Sequence, residues 1–463
     1  MAEQVDIFIA HGLIVTVDRE RRIIKDGAIA VRGDRILEVG KTEDLRKKYE
    51  GKKVIDATHR VVLPGLIDSH FHVSNEGPKG YIPDDIPPWP WIFDWVVPIN
   101  SAMTPEDEYL LSVAILTECV KTGTTTAFEA GTTKYPDQLA KAMEQIGIRG
   151  VVGKFAWDRF EEPAIMRSST KEALDNAERV VEAHHGKANG RVNAWVSILG
   201  CGTQSDELLV GAKDLADRLG VGLNMHQSTG PEEVEEFVQE KGKRPIEHFA
   251  ELGVLDKNVH LIHMVDVTDK EVDLVAKHDV KIVNCTATGL NLGYGLTPLG
   301  KFPEMIEKGV CVALGADGAN CSNYFDMVRI MYLAAGIYKD ARRDTSLIPG
   351  EKAIEMATVD GARAMLMEDE IGSLEKGKKA DIILFDRRRP EWVPMLNVVS
   401  NLVYSADGKS VDTVIIDGNI VVEAGKLMTM DEFAIFDEME KVDWEKKIKE
   451  KTGLPLKSRW PIL

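Results

Sequence analysis

Cysteine is scarce: Cys119, Cys201, Cys285, Cys311 and Cys321 are the only five in 463 residues, and no two form a CxxC pair. That scarcity excludes a disulfide scaffold and leaves a zinc–cysteine cluster without support. The odd, scattered set reads as reduced thiols of a cytoplasmic protein. No unbroken apolar stretch is long enough to span a bilayer, so no membrane association is expected. The opening MAEQVDIFIAHG lacks a basic region before an apolar one and reads as a strand rather than a signal peptide. The 39 glycines and 19 prolines are spread along the chain, so no segment reads as a low-complexity linker. No short period repeats, which argues against a solenoid or propeller. Positive charge is also in deficit, with 57 Lys and Arg against 75 Asp and Glu for a formal net charge of −18. Such a surface repels phosphate backbones. The densest basic run, Arg387-Arg388-Arg389, is followed at once by Pro390 and Glu391. A nucleic-acid polymer is therefore not an expected partner, while a single base or nucleoside stays open. A glycine-rich phosphate loop and a dinucleotide fingerprint are both missing, which removes the support for a kinase or dehydrogenase.

What is present falls into two textures. From about Val5 to Val61, short apolar runs alternate with Gly, Asp and Asn, as in DIFIAHGLIVTV and GAIAVRGDRILEVG, and predict strands joined by tight turns. The same texture returns in KADIILFD and VDTVIIDGNIVVEAGK, which predicts a small β-sandwich domain built from residues 1–60 plus 371–428. Between these stretches, helical segments alternate with eight short, mostly hydrophobic runs: VVLPGLIDSH, TTTAFEAG, IRGVVGKFAW, NAWVSILG, GVGLNMH, VHLIH, VKIVNC and CVALGAD. Strands without apolar–polar alternation are covered on both faces. The predicted fold class is α/β, with residues 61–370 forming a (β/α)8 TIM-like barrel. Residues 429–463 carry an acidic–basic helical pattern and are expected as a helical surface extension.

The chemistry concentrates at the carboxyl ends of these runs, where barrel enzymes keep their active sites. In His70-Phe71-His72 the histidines are two apart, so on an extended backbone both point the same way. His226, His263 and Asp317 each cap a further run, the fifth, sixth and eighth. Any one of them could be a core histidine or a solvent-facing cap. Taken together they read as a metal site. Three imidazoles and a carboxylate suit Zn²⁺, with Fe²⁺, Mn²⁺ or Co²⁺ also possible. A divalent metal there lowers the pKa of a water from about 15.7 towards 7. Asp317 can ligate and accept the water's proton, and His263 is cast as the group that polarises the attacked centre. The remaining histidines, His11, His59, His184, His185, His248, His260 and His278, read as structural.

Several stretches together resemble the amidohydrolase superfamily, in the branch of guanine and cytosine deaminases and triazine hydrolases. They are Pro64-Gly65-Leu66-Ile67-Asp68-Ser69-His70-Phe71-His72, Thr122-Gly123-Thr124-Thr125-Thr126, His226, His263, Leu314-Gly315-Ala316-Asp317-Gly318 with Cys321-Ser322-Asn323, and Gly372 to Asp381. The resemblance covers nearly the whole chain. It implies that His70, His72, His226 and Asp317 ligate one catalytic metal, that His263 contacts water or substrate, and that the protein is a homodimer or higher homo-oligomer. Two-metal members of the superfamily often carry a lysine at the end of strand four. NAWVSILG has none, and Lys154 belongs to the third run, so a single metal is expected.

One position departs from the pattern. Deaminases of this branch usually carry a glutamate three residues after the strand-five histidine, and here that residue is Thr229. A hydroxyl can hydrogen-bond but cannot serve as an acid near neutral pH. Glu232 and Glu233 follow Pro231 and are expected to cap the next helix rather than replace it. Two loops are expected to frame a small-molecule pocket. The first runs from Gly77 to Trp95 and offers Trp89, Trp91, Phe93 and Trp95 as apolar lining. The second, Thr286 to Gly295, offers Tyr294, and after Asp317 come Asn320 and Asn323, which orient polar groups or hold the loop. The expected reaction is hydrolysis of a C–N bond in a small amide, urea, carbamate or N-substituted aromatic compound. Deamination of a purine, pyrimidine or triazine, or displacement of chloride or nitrite from a heterocycle, is the alternative.

Overall fold

A computed structural model describes residues 2–74, 76–129, 131, 134–160 and 167–461; Ala130, within the second predicted run, lies outside them. All eight predicted runs form parallel strands in a mixed α/β fold. Four strands make one sheet, in the order Val192–Ala194, Arg149–Val152, Thr124–Glu129, Leu66–Phe71. Six make another, in the order Val312–Leu314, Lys281–Asn284, Val259–His263, Leu223–Gln227, Val196–Gly200, Phe155–Ala156. The third and fourth runs are each broken in two, and their halves belong to different sheets. Arg149–Val152 pairs in the first sheet and Phe155–Ala156 in the second; Val192–Ala194 and Val196–Gly200 divide in the same way. Gly153 sits at the crossing, where a Cβ would stand 2.5 Å from Ser197 Oγ. Only glycine lets these two segments approach so closely.

The other margins of the two sheets also meet. Asp317 N donates to His70 O at 2.8 Å, and Phe71 and Asp317 form a parallel bridge. Every residue of Leu66–Phe71, Thr124–Glu129 and Val259–His263 is buried, as strands covered on both faces must be. The helices between them begin and end on local signals. Thr104, Ser169 and Thr268 each close a capping box, and Gly147, Gly220 and Gly242 take left-handed conformations at helix ends.

Strands from both ends of the chain join in one nine-stranded sheet, which places Ile382–Asp386 between Val411–Ile416 and Arg60–Pro64. Alternate residues of the strand Glu3–Val15 feed two separate cores, Ile7 and Ile9 on one side and Phe8 and Ala10 on the other. Arg60–Pro64 runs antiparallel to Ile382–Asp386, with Pro64 opposite Ile382. The chain then enters Leu66–Phe71 after a single residue, Gly65, whose Cβ would stand 1.9 Å from Thr125 Oγ1. The expected boundary at residue 61 thus falls inside a strand of the terminal sheet.

Both expected loops contain helix, the first only from Pro88 onward and the second over most of its length. The tryptophan-rich segment forms Pro88–Pro90, a wide π-type turn Trp91–Val96, and Val97–Ala102, because Pro88 presets the first helical turn. Thr286–Leu292 is likewise a helix, with Gly289 packed against Leu296. The carboxyl-terminal helices Glu432–Lys441 and Trp444–Thr452 pack on the molecule, and Ile448 is buried beside Trp91 and Trp95. No described helix is long and apolar enough to cross a membrane.

A buried ion network couples the terminal sheet to the third run. Arg149 Nε donates to Asp381 Oδ2 at 2.9 Å, and its Nη2 donates to Asp381 Oδ1 at 3.2 Å and Asp417 Oδ1 at 2.9 Å. Removing one partner strands the others in a low-dielectric interior. Arg149→Met is therefore expected to lower unfolding stability by about 3–5 kcal/mol, the range for breaking a buried pair, as read by urea denaturation.

Candidate metal centre

Four imidazoles and a carboxylate converge where the strand ends meet. His70 comes from Leu66–Phe71, the first of the eight runs, and His72 directly follows it; His226 comes from Leu223–Gln227, His263 from Val259–His263, and Asp317 follows Val312–Leu314. His70 Nε2 lies 3.5 Å and His72 Nε2 3.4 Å from Asp317 Oδ1, while His263 Nε2 lies 4.0 Å from Asp317 Oδ2. Ring centroids are 4.6 Å apart for His70 and His72, and 4.9 Å apart for His70 and His226. The possible ligand atoms of His70, His72 and His226 lie within 4.8 Å of one another, as do those of His70, His263 and Asp317. All five side chains are buried.

Neighbours turn these rings inward. His226 Nδ1 lies 2.8 Å from Leu199 O, which fixes a proton on Nδ1 and leaves Nε2 with its lone pair. His72 Nδ1 stands 3.5 Å from Glu129 Oε1, at the end of the second strand. His263 Nδ1 pairs with the Tyr294 hydroxyl at 3.2 Å. Asp68 Oδ1 accepts from His70 N at 3.3 Å and from Ala316 N at 3.0 Å, tying the first strand to the eighth. His263 and Asp317 have φ of 75° and 67°. Left-handed backbone of this kind costs of order 1–3 kcal/mol and persists where surrounding structure holds it.

His70 is the clearest sign that the cluster is built for a cation. Its ring is fully buried, yet neither nitrogen has a hydrogen-bond partner among the described residues. Buried polar atoms without partners are rare, and an ion accounts for this one. Burial pushes His70, His226 and His263 down to about 3, so these rings are neutral and can offer lone pairs at ordinary pH. Burial also acts on Asp317, but the surrounding His70, His72 and His263 override it and hold the carboxylate well below its usual range. The donor set therefore fits a divalent metal bound by nitrogen and oxygen.

An apolar recess opens beside the cluster. Trp89, Trp91, Phe93, Thr229 and Tyr294 line it. Trp95 and Asn320 do not. Trp95 is buried in the cluster around Ile99 and Ile448. Asn320 holds the loop instead: its Oδ1 accepts from Tyr81 N at 2.9 Å, and its Nδ2 donates to Glu76 O at 2.8 Å. Glu233 folds back, contrary to a simple helix cap, and accepts from Ser228 N at 2.8 Å and Thr229 N at 2.7 Å. It is absent from the lining and acts behind the strand end.

Sequence reasoning missed Glu76, Phe155, Trp157 and Cys201 as lining residues, and Asp68 and Glu129 as supports. Glu76 had a readable signal, four residues beyond His72 in the same segment. Burial, then the charge of Asp317, raises Glu76 to about 7. The close approach of Gly318 makes room for it: a Cβ there would overlap Glu76 Oε1 at 1.4 Å.

The "Amidohydrolase family" model matches residues 61–421. A 5-methylthioadenosine/S-adenosylhomocysteine deaminase from Caldanaerobacter subterraneus subsp. tengcongensis is 34% identical over 422 residues, covering 91% of this chain and 94% of its own. A zinc-bound adenosine deaminase from Xanthomonas campestris superposes with a TM-score of 0.91 at 26% identity, over 97% of this chain and 100% of its own. The zinc-bound atrazine chlorohydrolase of Arthrobacter aurescens TC1 superposes at 0.86 with 21% identity, over 96% and 100%, a likeness of fold alone.

If His72 is oriented through Glu129, Glu129→Gln is expected to weaken metal affinity about 10–100-fold. His70→Ala is expected to abolish stoichiometric binding. Elemental analysis after dialysis against graded chelator checks both, and unchanged metal content in His70→Ala would contradict the ligand assignment.

Proposed function

The chain belongs to the amidohydrolase family, and from that premise we propose a metal-dependent hydrolase that cleaves a non-peptide C–N bond of a small amide, urea, carbamate or N-substituted aromatic compound. The observation that carries this reading is the convergence of His70, His72, His226 and His263 on Asp317 at the edge of an apolar recess. The two parallel sheets are read as arcs of one (β/α)8 barrel over residues 61–370. The shared third and fourth runs and the Phe71–Asp317 bridge support that closure. Residues 1–60 plus 371–428 are read as the small β-sandwich domain, and residues 429–463 as a helical extension. The protein is read as a homo-oligomer acting on a small molecule, and as cytoplasmic, with which its five free cysteines are consistent.

His70, His72, His226 and Asp317 are assigned to one divalent metal, Zn²⁺ first, with Fe²⁺, Mn²⁺ or Co²⁺ as alternatives. The strand Val196–Gly200 supplies no lysine for a second. When bound, such a metal supplies Lewis-acid activation of water and of the attacked group. Asp317 receives the water's proton, because its carboxylate is ionised and faces the ring nitrogens. The same group returns that proton to the departing nitrogen. His263 orients the attacked centre, its ring held from behind by Tyr294. The Thr229 hydroxyl stands on the recess wall as a hydrogen-bonding group only, and Glu233 is engaged by backbone N–H groups.

A second reading, aminohydrolase action on a purine-type heterocycle, is favoured by the names of the relatives, which are deaminases of adenine-containing compounds. A turnover screen of the metal-loaded protein, scored separately for free amine, ammonia and halide or nitrite, separates the two. Amine release from aryl ureas, carbamates or N-substituted aromatics is expected. Ammonia from adenosine-type compounds alone would shift the assignment to the second reading, and no turnover of any class would overturn both. Asp317→Asn is expected to cost about 10²–10⁴-fold in kcat, the range for losing a general acid–base group, whereas Thr229→Val stays within tenfold. A complete loss in Thr229→Val with metal content intact would reverse that division of roles.

A further inference from the structure

The recess takes much of its wall from one short stretch, residues 88–102, through Trp89, Ile92, Phe93, Val96 and Val97. That stretch has little of its own to hold it. Its three helical pieces, Pro88–Pro90, the π-type turn Trp91–Val96 and Val97–Ala102, begin without a side-chain cap. Pro88, Pro90 and Pro98 also withhold backbone N–H groups from it. A helical stretch this short and interrupted is marginal on its own in water, so packing has to fix the wall.

That packing comes from the side away from the recess. Trp91, Trp95 and Ile99 recur every fourth residue and are buried in one apolar cluster with Ala102, Met103 and Ile448. Of these, Trp95, Ile99 and Ala102 take no part in the recess wall. Ile448 is the one buried residue of the helix Trp444–Thr452, which packs on Val97–Ala102. A Cβ on Gly77 would stand 2.8 Å from Ile99 Cγ2 and 3.7 Å from Ile448 Cδ1, so both side chains reach Gly77. Polar ties run the same way. Lys451 Nζ donates to Ala102 O at 2.7 Å, which places a cation at the carboxyl end of Val97–Ala102. The Tyr81 hydroxyl donates to Leu454 O at 2.9 Å. Lys447 pairs with Asp107, the residue that closes the capping box of the next helix, Pro105–Lys121.

We propose that residues 444–454 are a specificity element of the recess: they hold the wall formed by residues 88–102 from behind and so set the width of the slot that receives the apolar body of the substrate. Ile448 and Lys451 are its positioning residues, and neither lines the recess. This rests on the hydrolase reading only in taking the recess as the substrate site. An aryl body gains from a wall whose ordering is complete before binding. A small ligand that reaches only the metal is indifferent to it.

The test uses the metal-loaded full chain and two hydroxamates with the same metal-binding head, acetohydroxamic acid and 2-naphthohydroxamic acid. Only the second carries a body that reaches the wall. Affinities are measured by isothermal titration calorimetry on the native protein, Ile448→Ala, Ile448→Leu and Lys451→Met, after metal content and melting temperature establish that each is loaded and folded. In Ile448→Ala the naphthyl compound is expected to lose about tenfold in affinity while the methyl compound stays within about twofold. Ile448→Leu, which refills the volume, is expected to restore the native ratio. Lys451→Met removes the tie to Ala102 without opening a cavity, and is expected to cost the naphthyl compound alone about threefold. Equal losses for both compounds, an unchanged naphthyl affinity in Ile448→Ala and Lys451→Met, or a native protein that binds the two compounds alike would overturn the proposal. Binding is read without turnover. A selective loss in a protein that cleaves no C–N substrate would therefore sink the hydrolase assignment and leave the role of residues 444–454 standing.

Discussion

The meeting of the first and eighth strands is the constraint on which the site depends. Asp317 N donates to His70 O at 2.8 Å, and Asp68 reaches across to Ala316 N at 3.0 Å. These bonds place Asp317 opposite both histidines of the first strand, and its φ of 67° turns it from the strand direction towards them. Nothing in the carboxylate's own chemistry would gather imidazoles around it. The backbone junction does that, and the side-chain electrostatics follow. Burial drives His70 to about 3, while the histidines together hold Asp317 ionised. Burial leaves His70, His226 and His263 as neutral donors beside the Asp317 anion. On His72 burial is outweighed by Glu129 and Asp317, which raise it, so a divalent cation has to displace a proton there.

A second layer keeps the rings from rotating. Leu199 O, Glu129 and Tyr294 each engage an Nδ1 atom, on His226, His72 and His263 respectively. These partners come from three different parts of the fold: Leu199 from the strand Val196–Gly200, Glu129 from the strand Thr124–Glu129, and Tyr294 from the turn after the helix Thr286–Leu292. His70 has no such partner and is fixed by burial and by the chain on either side. An ion would take its Nε2, which lies 3.5 Å from Asp317 Oδ1.

Much of this was legible in the sequence for a physical reason. Strands covered on both faces leave mostly apolar runs, and an ionisable residue closes such a run at His70, His226, His263 and Asp317. The breaks at Gly153 and Trp195 were not legible, because a strand that changes sheets keeps its apolar character throughout. The helical turn at Trp91–Val96 was hidden by flanking prolines, which read as loop signals although Pro88 begins the helix. The supports Asp68 and Glu129 were also obscured. Each is a carboxylate inside or at the end of an otherwise apolar strand, and only the fold reveals what it faces.

The fifth strand end shows how a position can change without dismantling a site. Thr229 places a hydroxyl on the recess wall, and Glu233 sits behind it, pairing with Gln227 Nε2 at 2.9 Å and with two backbone N–H groups. Those bonds stabilise the left-handed Ser228, whose φ is 52°, and so help to aim His226. A carboxylate is still present at this corner, but its lone pairs serve the loop rather than the recess. On the recess side, Asp317 and Glu76 are the lining carboxylates among the described residues, and both belong to the first-to-eighth strand junction. Under the proposed assignment, proton transfer falls to the junction of the first and eighth strands rather than to the fifth strand end. That geometry suits a reaction in which the group accepting the water's proton is also the group that hands it to the leaving nitrogen.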